Sequence, residues 1–337
     1  VTGGVTVSVA LCTHNGERFV RQQVESIFAQ TVLPTELIVS DDASSDSTLS
    51  VVSESIERFR GSAPALSQPV NVVVLTRSTP LGVVGNFEVA IAACTGDLVA
   101  LSDQDDEWVP NRLETALGLF EARPELSLLY SDADLVSAEG LHLGTTLFGA
   151  LGVTPRMQQR VHAGDAWHEL LHRNIVTGAT TAFRRSLADD ALPVPEGWLH
   201  DEWLAIVAAV TGQVDLVPDR LVRYRQHGEN QVGARKLSFG GKARRMLEPG
   251  GARSSRLLVR ASSLVARLPR LPRVTEVQIN EARHKLAHEQ VRSALSPHRL
   301  RRIGPVLREL GTGRYSAFGR GVLDAARDLL QPLETGR

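Results

Sequence analysis

Acidic side chains crowd one short segment of this chain. Ser102-Asp103-Gln104-Asp105-Asp106-Glu107-Trp108 directly follows an apolar run at 98–102. Asp103 and Asp105 flank a single residue, so at a strand end their carboxylate oxygens can converge on a hard cation. Mg2+ and Mn2+ suit oxygen ligands, and Mg2+ is typically held by one or two carboxylates while it bridges to substrate phosphates. The competing reading is a solvated acidic loop, or acidic charge complementing a helix N-terminus opened by Pro110.

Three more strings could carry chemistry. His168-Glu169-Leu170-Leu171-His172 is a literal H-E-x-x-H, which on a helix puts two histidines on one face to hold zinc beside a glutamate base. Glu196 or Glu202 could supply a third ligand, but Ile175 stands where the longer form of the motif has glycine. The plainer reading is a pair of partly exposed helix histidines. His200-Asp201-Glu202-Trp203 lies at a predicted helix start after Pro193, Pro195 and Gly197. Asp201 there is either a helix N-cap or a general base displayed at a loop–helix junction. Arg223, Arg225 and His227 alternate, so an extended backbone would point them to one face. They suit a diphosphate or a third metal ligand, or else form a polar strand edge.

Alternating elements must position these groups. Apolar runs predict strands over 5–11, 37–40, 70–75, 98–102 and 126–130, and helical patterns intervene at 17–29, 48–59 and 86–93, with another after Pro110. That alternation predicts a parallel sheet with right-handed crossovers, whose ligands sit beyond the carboxyl ends of the strands. His14, Asn15, Asp41, Asp42, Arg77, Asp103, Asp105 and Asp106 all fall at those ends. Further on, the pattern predicts helices near 165–172 and 201–211 and strands at 179–183, 214–217 and 221–224. Beyond Gly233 the Arg- and Leu-rich chain, broken by Pro249, Pro269, Pro272, Pro297 and Pro305, predicts several short helices and no sheet. The turn after the first strand has one glycine, Gly16, and no G-x-x-x-x-G-K-[ST] string exists, which argues against Rossmann dinucleotide and P-loop sites.

Composition narrows the class. The chain has 337 residues, 42% apolar and 22% charged, which excludes disordered, collagen-like and fibrous proteins. Two cysteines, Cys12 and Cys94, exclude a disulfide framework and read as buried thiols in a reducing compartment. No apolar run reaches the ~18 residues of a membrane span, and residues 1–9 show no signal-peptide pattern, so a cytoplasmic protein is expected. Net charge is −1, but residues 1–234 hold 15 basic against 30 acidic side chains, and residues 235–337 hold 22 against 8. The basic part is arginine-dominated, since lysine occurs only at Lys236, Lys242 and Lys285. Within it Leu257, Ala261, Leu264 and Leu268 share a helical face, with Arg253, Arg256, Arg260 and Arg267 alongside. Such a helix either lies in an anionic membrane interface or packs on the rest of the protein with a solvated basic face. Few aromatics accompany it, so nucleic-acid binding is not expected.

Taken in order, these strings resemble the family 2 inverting glycosyltransferases of the GT-A fold, especially their bacterial rhamnosyltransferase-like branch. The resemblance runs over about residues 5–234. It is carried by Thr13-His14-Asn15-Gly16-Glu17-Arg18, Glu25-Ser26-Ile27 with Gln30-Thr31, and Val39-Ser40-Asp41-Asp42-Ala43-Ser44-Ser45-Asp46. Gly82 with Asn86-Phe87, Gly96-Asp97, Ser102-Asp103-Gln104-Asp105-Asp106 with Trp108, Pro110 and Leu113, and Asn174 with Thr177-Gly178 follow. His200-Asp201-Glu202-Trp203 and Tyr224-Arg225-Gln226-His227 with Asn230 and Gly233 complete it.

The resemblance implies an α/β GT-A domain over 1–234, with a mostly parallel nucleotide-sugar-binding half (1–131) and an acceptor-binding half (132–234). A basic, mainly helical region follows over 235–337. It implies transfer, with inversion, from a nucleotide-diphosphate sugar, dTDP- or UDP-linked, to a hydroxyl of a cell-surface glycan or lipid-linked saccharide. Rhamnose is suggested by the branch alone. By position, Thr13, His14, Asn15, Asp42, Asn86 and Asp103 would bind the nucleotide sugar, and Asp105, Asp103 and His227 would hold Mg2+ or Mn2+. Asp201 would be the catalytic base, with Asp106, Trp108, Thr177, Gly178, His200 and Glu202 lining the sugar and acceptor pocket. His14 departs from the family's usual tyrosine, and Ala43 from the glycine of D-D-G-S. Two other functions fit parts of the sequence: a module of this fold that binds nucleotide or glycan without catalysis, and a zinc peptidase at His168 and His172. Peripheral contact with the inner face of the plasma membrane is the expectation attached to the basic region.

Overall fold

A computed structural model describes residues 4–62, 69–227 and 251–332. The chain divides into two compact units, one of residues 1–166, 175–194 and 199–234, the other of 167–174, 195–198 and 235–337. The expected boundary at 234 lies outside the described residues.

The first unit is built on a mixed sheet. Strands β1 (Val7–Thr13), β2 (Glu36–Asp41), β3 (Asn71–Leu75) and β4 (Leu98–Asp103) alternate with helices α1 (Val20–Phe28), α2 (Thr48–Ser62) and α3 (Gly82–Ala93). They pair in parallel in the order β3-β2-β1-β4, as the alternation predicts. Every residue of β1 is buried, as a central parallel strand covered on both faces requires. Helix α1 begins later than its pattern, because Asn15 adopts a φ of 47° and the Gly16 carbonyl accepts the N–H groups of Phe19 and Val20 in a tight turn.

Beyond β4 the sheet becomes mixed, though taken whole its strands are still mostly parallel, as the resemblance implies. Strand β8 (Thr181–Arg184) lies antiparallel between β4 and β6 (Leu126–Ser137), and β9 (Gln213–Gln226) runs parallel to β6. The strands expected at 214–217 and 221–224 are this one strand. Its register against β6 shifts between Val217 and Arg220, which accommodates Pro218, a residue with no N–H for a ladder. Strand β7 (His142–Thr146) pairs with β6, and β5 (Glu107–Trp108) pairs antiparallel with β9. Neither was legible: β7 is polar and exposed, and β5 has two residues. Helices α4 (Arg112–Ala122), α5 (Leu147–Leu151), α6 (Pro155–His162), α8 (Ser186–Ala191) and α9 (His200–Thr211) complete this unit. Both cysteines are buried thiols, as expected.

The second unit is helical: α7 (Ala166–His172, from residue 167), then α10 (Gly251–Arg267), α11 (Glu276–Ser293), α12 (Arg299–Gly311), α13 (Arg314–Phe318) and α14 (Val322–Leu330). Helices α10 and α11 have 17 and 18 residues and are longer than expected. A capping box between Thr275 and Gln278 starts α11. The apolar face of α10 is closed: Ala261, Leu264 and Leu268 are buried, and α10 packs along α11. That face therefore does not meet a membrane. No helix among the described residues is long and apolar enough to cross one.

Candidate functional site

Strand register sets the site. Thr13 pairs with Asp41 and Cys12 with Asp103, so the carboxyl ends of β1, β2 and β4 form one level edge. The expected groups gather there, but their side chains divide into those that hold the edge and those that face outward.

Thr13, Asp41, Asp42 and Asn86 hold it. Thr13 donates to Asp41 Oδ1 at 2.8 Å, and Asp41 also accepts from Ser44. The Asp42 carboxylate is buried and accepts from Arg77 Nη1 and from the N–H groups of Leu81 and Gly82, each at 2.8 Å, which caps the start of α3. Asn86 donates to the carbonyls of Thr13 and Ser40 and accepts from Arg77. Ala43 sits at a φ of 60°. The loop thus keeps the conformation a glycine would favour, at a cost of about 1 kcal/mol for the Cβ.

His14 and Asn15 are exposed. The His14 Nδ1–H donates to the Asp42 carbonyl at 2.7 Å, and Nε2 faces Asn15 Nδ2 at 3.3 Å. Gln104 brackets the His14 backbone, accepting its N–H and donating to its carbonyl. This middle residue of the acidic string thereby ties the β1 and β4 loops together.

The carboxylates form a like-charged group. Burial, then the negative charges of Asp105 and Asp201, push the Asp103 carboxyl up to about 7 against the opposing pull of Arg112. Asp106 is pushed well above the usual range by burial, Asp105 and Asp103. Its Oδ1 accepts the Arg225 N–H at 2.9 Å, and its buried Oδ2 has no hydrogen-bond partner among the described residues. The β5–β9 ladder brings the end of β9 alongside, where His227 Nε2 meets Asp105 Oδ2 at 2.7 Å and the imidazole stacks on Phe19. Asp201 lies at the second position of α9, because Leu199 occupies the N-cap, so its N-cap reading falls. Its carboxylate accepts from the N–H groups of Gly178 and Glu202, both at 2.8 Å. His200 is buried against Phe87 with ring centroids 3.9 Å apart. Both its ring nitrogens lack hydrogen-bond partners among the described residues, and burial holds it neutral with a pKa of about 3. A Cβ on Gly178 would stand 3.0 Å from His200 Nε2, so glycine keeps this corner open.

The remaining expected residues are mostly enclosed. Trp108 is buried in the apolar core with the Arg112 guanidinium 3.8 Å from its ring. Asp106, at 1% exposure, is likewise enclosed. Thr177 uses its carbonyl to accept from Thr180 and Thr181, and Glu202 is half-buried on α9. Arg225 is no diphosphate ligand: it is buried and donates to the carbonyls of Asp105, Ser137 and Ala138 and to Gln22. Arg223 points away and pairs with Glu107. Arg112 was missed by sequence reasoning. It donates to the carbonyls of Leu101 and Thr181, and burial lowers it to about 9 while Asp106 and Asp103 oppose the shift. An arginine two residues past Pro110 and near Trp108 in sequence was the available signal.

The zinc reading also fails. His168 Nε2 meets Glu281 Oε1 at 3.1 Å, and His172 Nε2–H donates to the Gly319 carbonyl at 2.7 Å, so the helical unit already engages both rings. Among the described residues no three His, Cys, Asp or Glu side chains form a ready metal cage. The edge still fits a hard cation that takes two carboxylates and draws its other ligands from substrate and water. Asp103 and Asp105 could supply carboxylate oxygens to it, and burial with neighbouring acids raises the Asp103 carboxyl.

Comparison with known proteins bears on the class. The Glycosyl transferase family 2 profile matches residues 8–140. An uncharacterized Mycobacterium tuberculosis protein is 27% identical over 226 residues, 66% of this chain and 59% of the relative, so the chain spans under two thirds of that relative's length. The dTDP-rhamnosyl transferase RfbG of Shigella flexneri is 25% identical over 249 residues, 70% of this chain and 78% of that protein. In fold, the chain is similar to S. aureus TarS 1–349 solved with UDP-GlcNAc, at a TM-score of 0.58 and 15% identity over 96% of this chain and 88% of TarS 1–349. The expected fold is borne out by this likeness.

Proposed function

We propose that the protein transfers a sugar from a nucleotide-diphosphate donor to an acceptor hydroxyl, inverting the anomeric carbon, with Asp201 as general base. The crowding of Asp103, Asp105, Asp106 and Asp201 at the strand ends carries this reading, with the Asp103 carboxyl raised to about 7 by burial, Asp105 and Asp201. Such an edge is costly to fold and becomes favourable when a cation and a diphosphate complete it. Mg2+ or Mn2+ would be held by Asp103 and Asp105, with His227 beside them, and when bound would neutralise the leaving diphosphate.

The chain's own residues do the rest. The exposed His14 and Asn15 meet the nucleotide, on a loop that Thr13, Asp42 and Asn86 hold in place. Asp201, steered by the Gly178 N–H, takes the proton of the incoming hydroxyl in a single in-line displacement that needs no covalent nucleophile. His200 supplies free ring nitrogens at the same corner, suited to a sugar or acceptor hydroxyl. Similarity to RfbG favours a dTDP-linked deoxyhexose such as rhamnose, with a UDP-linked sugar as the alternative. The acceptor is a cell-surface glycan or lipid-linked saccharide.

Calorimetric titration of UDP, dTDP and GDP, with and without Mn2+, tests the reading. Metal-dependent binding of one pyrimidine diphosphate is the expected result. No binding of any nucleotide to folded protein would overturn it.

A further inference from the structure

Two terminal helices of the second unit have their polarity reversed. Helix α12 buries Arg302, Val306 and Glu309 while exposing Leu300, Ile303 and Leu307, with Leu300 at 82% exposure and Leu307 at 58%. Helix α14 buries Asp324, Ala325, Arg327 and Asp328, packs Leu329 partly on the apolar core of this unit, and exposes Val322, Leu323 and Leu330. Arg302 joins the two helices by donating to the carbonyls of Asp328 and Gln331 at 3.0 and 2.7 Å. Large aliphatic side chains on water opposite buried ions are unusual in a surface helix, and an exposed apolar stripe marks an interaction site.

Charge identifies the partner. At about 100° per residue, Leu300, Ile303 and Leu307 fall within an arc of about 60°, with Arg301 and Arg308 along one flank and Arg299 along the other. All three arginines are exposed and have no acidic partner among the described residues. Within residues 296–332 every acidic side chain, namely Glu309, Asp324 and Asp328, is buried, so the exposed carboxylate count there is nil. A second copy docked face to face would bring these arginines against one another. A nucleic acid would meet aliphatic side chains where it needs aromatic ones, since Tyr315 is buried. Aliphatic side chains between arginine flanks match the boundary of an anionic bilayer, where the apolar stripe enters the acyl region and the guanidinium groups meet lipid phosphates.

We propose that the α12–α14 face, centred on Leu300, Ile303 and Leu307 and flanked by Arg299, Arg301 and Arg308, seats the protein on an anionic lipid bilayer. This is a different surface from the α10 face expected from the sequence, and it is independent of the reaction assigned above.

Co-sedimentation of the full chain with vesicles of phosphatidylcholine, alone or mixed with phosphatidylglycerol, tests it. Binding is expected to the mixed vesicles only and to weaken with salt. Replacing Arg299, Arg301 and Arg308 together by Gln should lower the partition coefficient roughly 100-fold, at about 1 kcal/mol per charge. Leu300→Ser, Ile303→Ser and Leu307→Ser together should abolish binding, and both variants should keep the wild-type melting temperature because the side chains are exposed. Equal binding to neutral vesicles, or binding that survives either triple substitution, would overturn the proposal. So would a dimer that the serine variant dissociates, or retention of an oligonucleotide in place of vesicles.

Discussion

Each unit of this protein contains a buried cluster of charged groups, and the two are balanced in opposite ways. In the helical unit Arg292 grips both oxygens of Asp328 at 2.7 and 3.2 Å and also pairs with Glu289. The Tyr315 hydroxyl donates to Asp328, and His288 Nδ1 meets Glu309 at 2.8 Å. Each acid there has a cation or donor, and the Arg292 guanidinium is held above its ordinary range by Asp328 and Glu289 against the pull of burial. At the sheet edge Asp103, Asp105, Asp106 and Asp201 face one another, with Arg112 and His227 as close cationic or hydrogen-bonding neighbours. A cluster of paired opposite charges fixes packing, whereas a crowd of like charges is eased when a ligand brings a cation.

Disabling the proposed chemistry should have the largest effect. Asp201→Asn keeps an acceptor for the Gly178 N–H but cannot take a proton, so turnover should fall by about 10²–10⁴ while nucleotide affinity stays nearly constant. Full activity in this variant would remove Asp201 as the base. Next comes the balanced cluster: Asp328→Ala leaves Arg292 buried without its main partner and should cost about 3–5 kcal/mol in denaturant unfolding.

Asp103→Asn should move stability the other way. The Asp103 carboxyl is raised from 3.8 to about 7, so it weakens the fold increasingly as pH rises between those values, and fully above them. In metal-free protein the Asn variant should therefore melt a few degrees higher at pH 8 and match wild type near pH 4. A lower melting point at pH 8 would mean that the cluster is balanced after all. His200 titrates with the opposite sign. Held at about 3, it contributes stability that is present above its unfolded value of 6.5 and lost as pH falls. The smallest effect is expected at Ala43, where glycine should relieve the positive φ and stabilise by about 1 kcal/mol, read from the denaturation midpoint.

The parallel edge was legible because β1, β2 and β4 are covered on both faces and read as apolar runs with polar groups at their ends. The order of motifs located Asp103, Asp105 and Asp201 for the same reason. Burial of individual side chains was not legible. Arg225 and Arg223 lie two apart on one strand, yet one is enclosed by carbonyls and the other pairs with a surface glutamate. Trp108 looks like a pocket residue in a motif, but its ring is covered by the Arg112 guanidinium within the core. The reversed polarity of α12 also escaped a reading by helical face, because that reading assumes the apolar side is the covered one.

The two cysteines give the native chain a built-in clock. Cys12 lies on β1 opposite Asp103, and Cys94 follows α3; burial raises both thiols, Cys94 to about 12. Neither reacts as a thiolate until its surroundings open, so the rate of labelling by a thiol reagent reports how often the central strand and its neighbour separate. A ligand that ties the strand ends together should slow Cys12 more than Cys94, making site occupancy readable without an engineered probe.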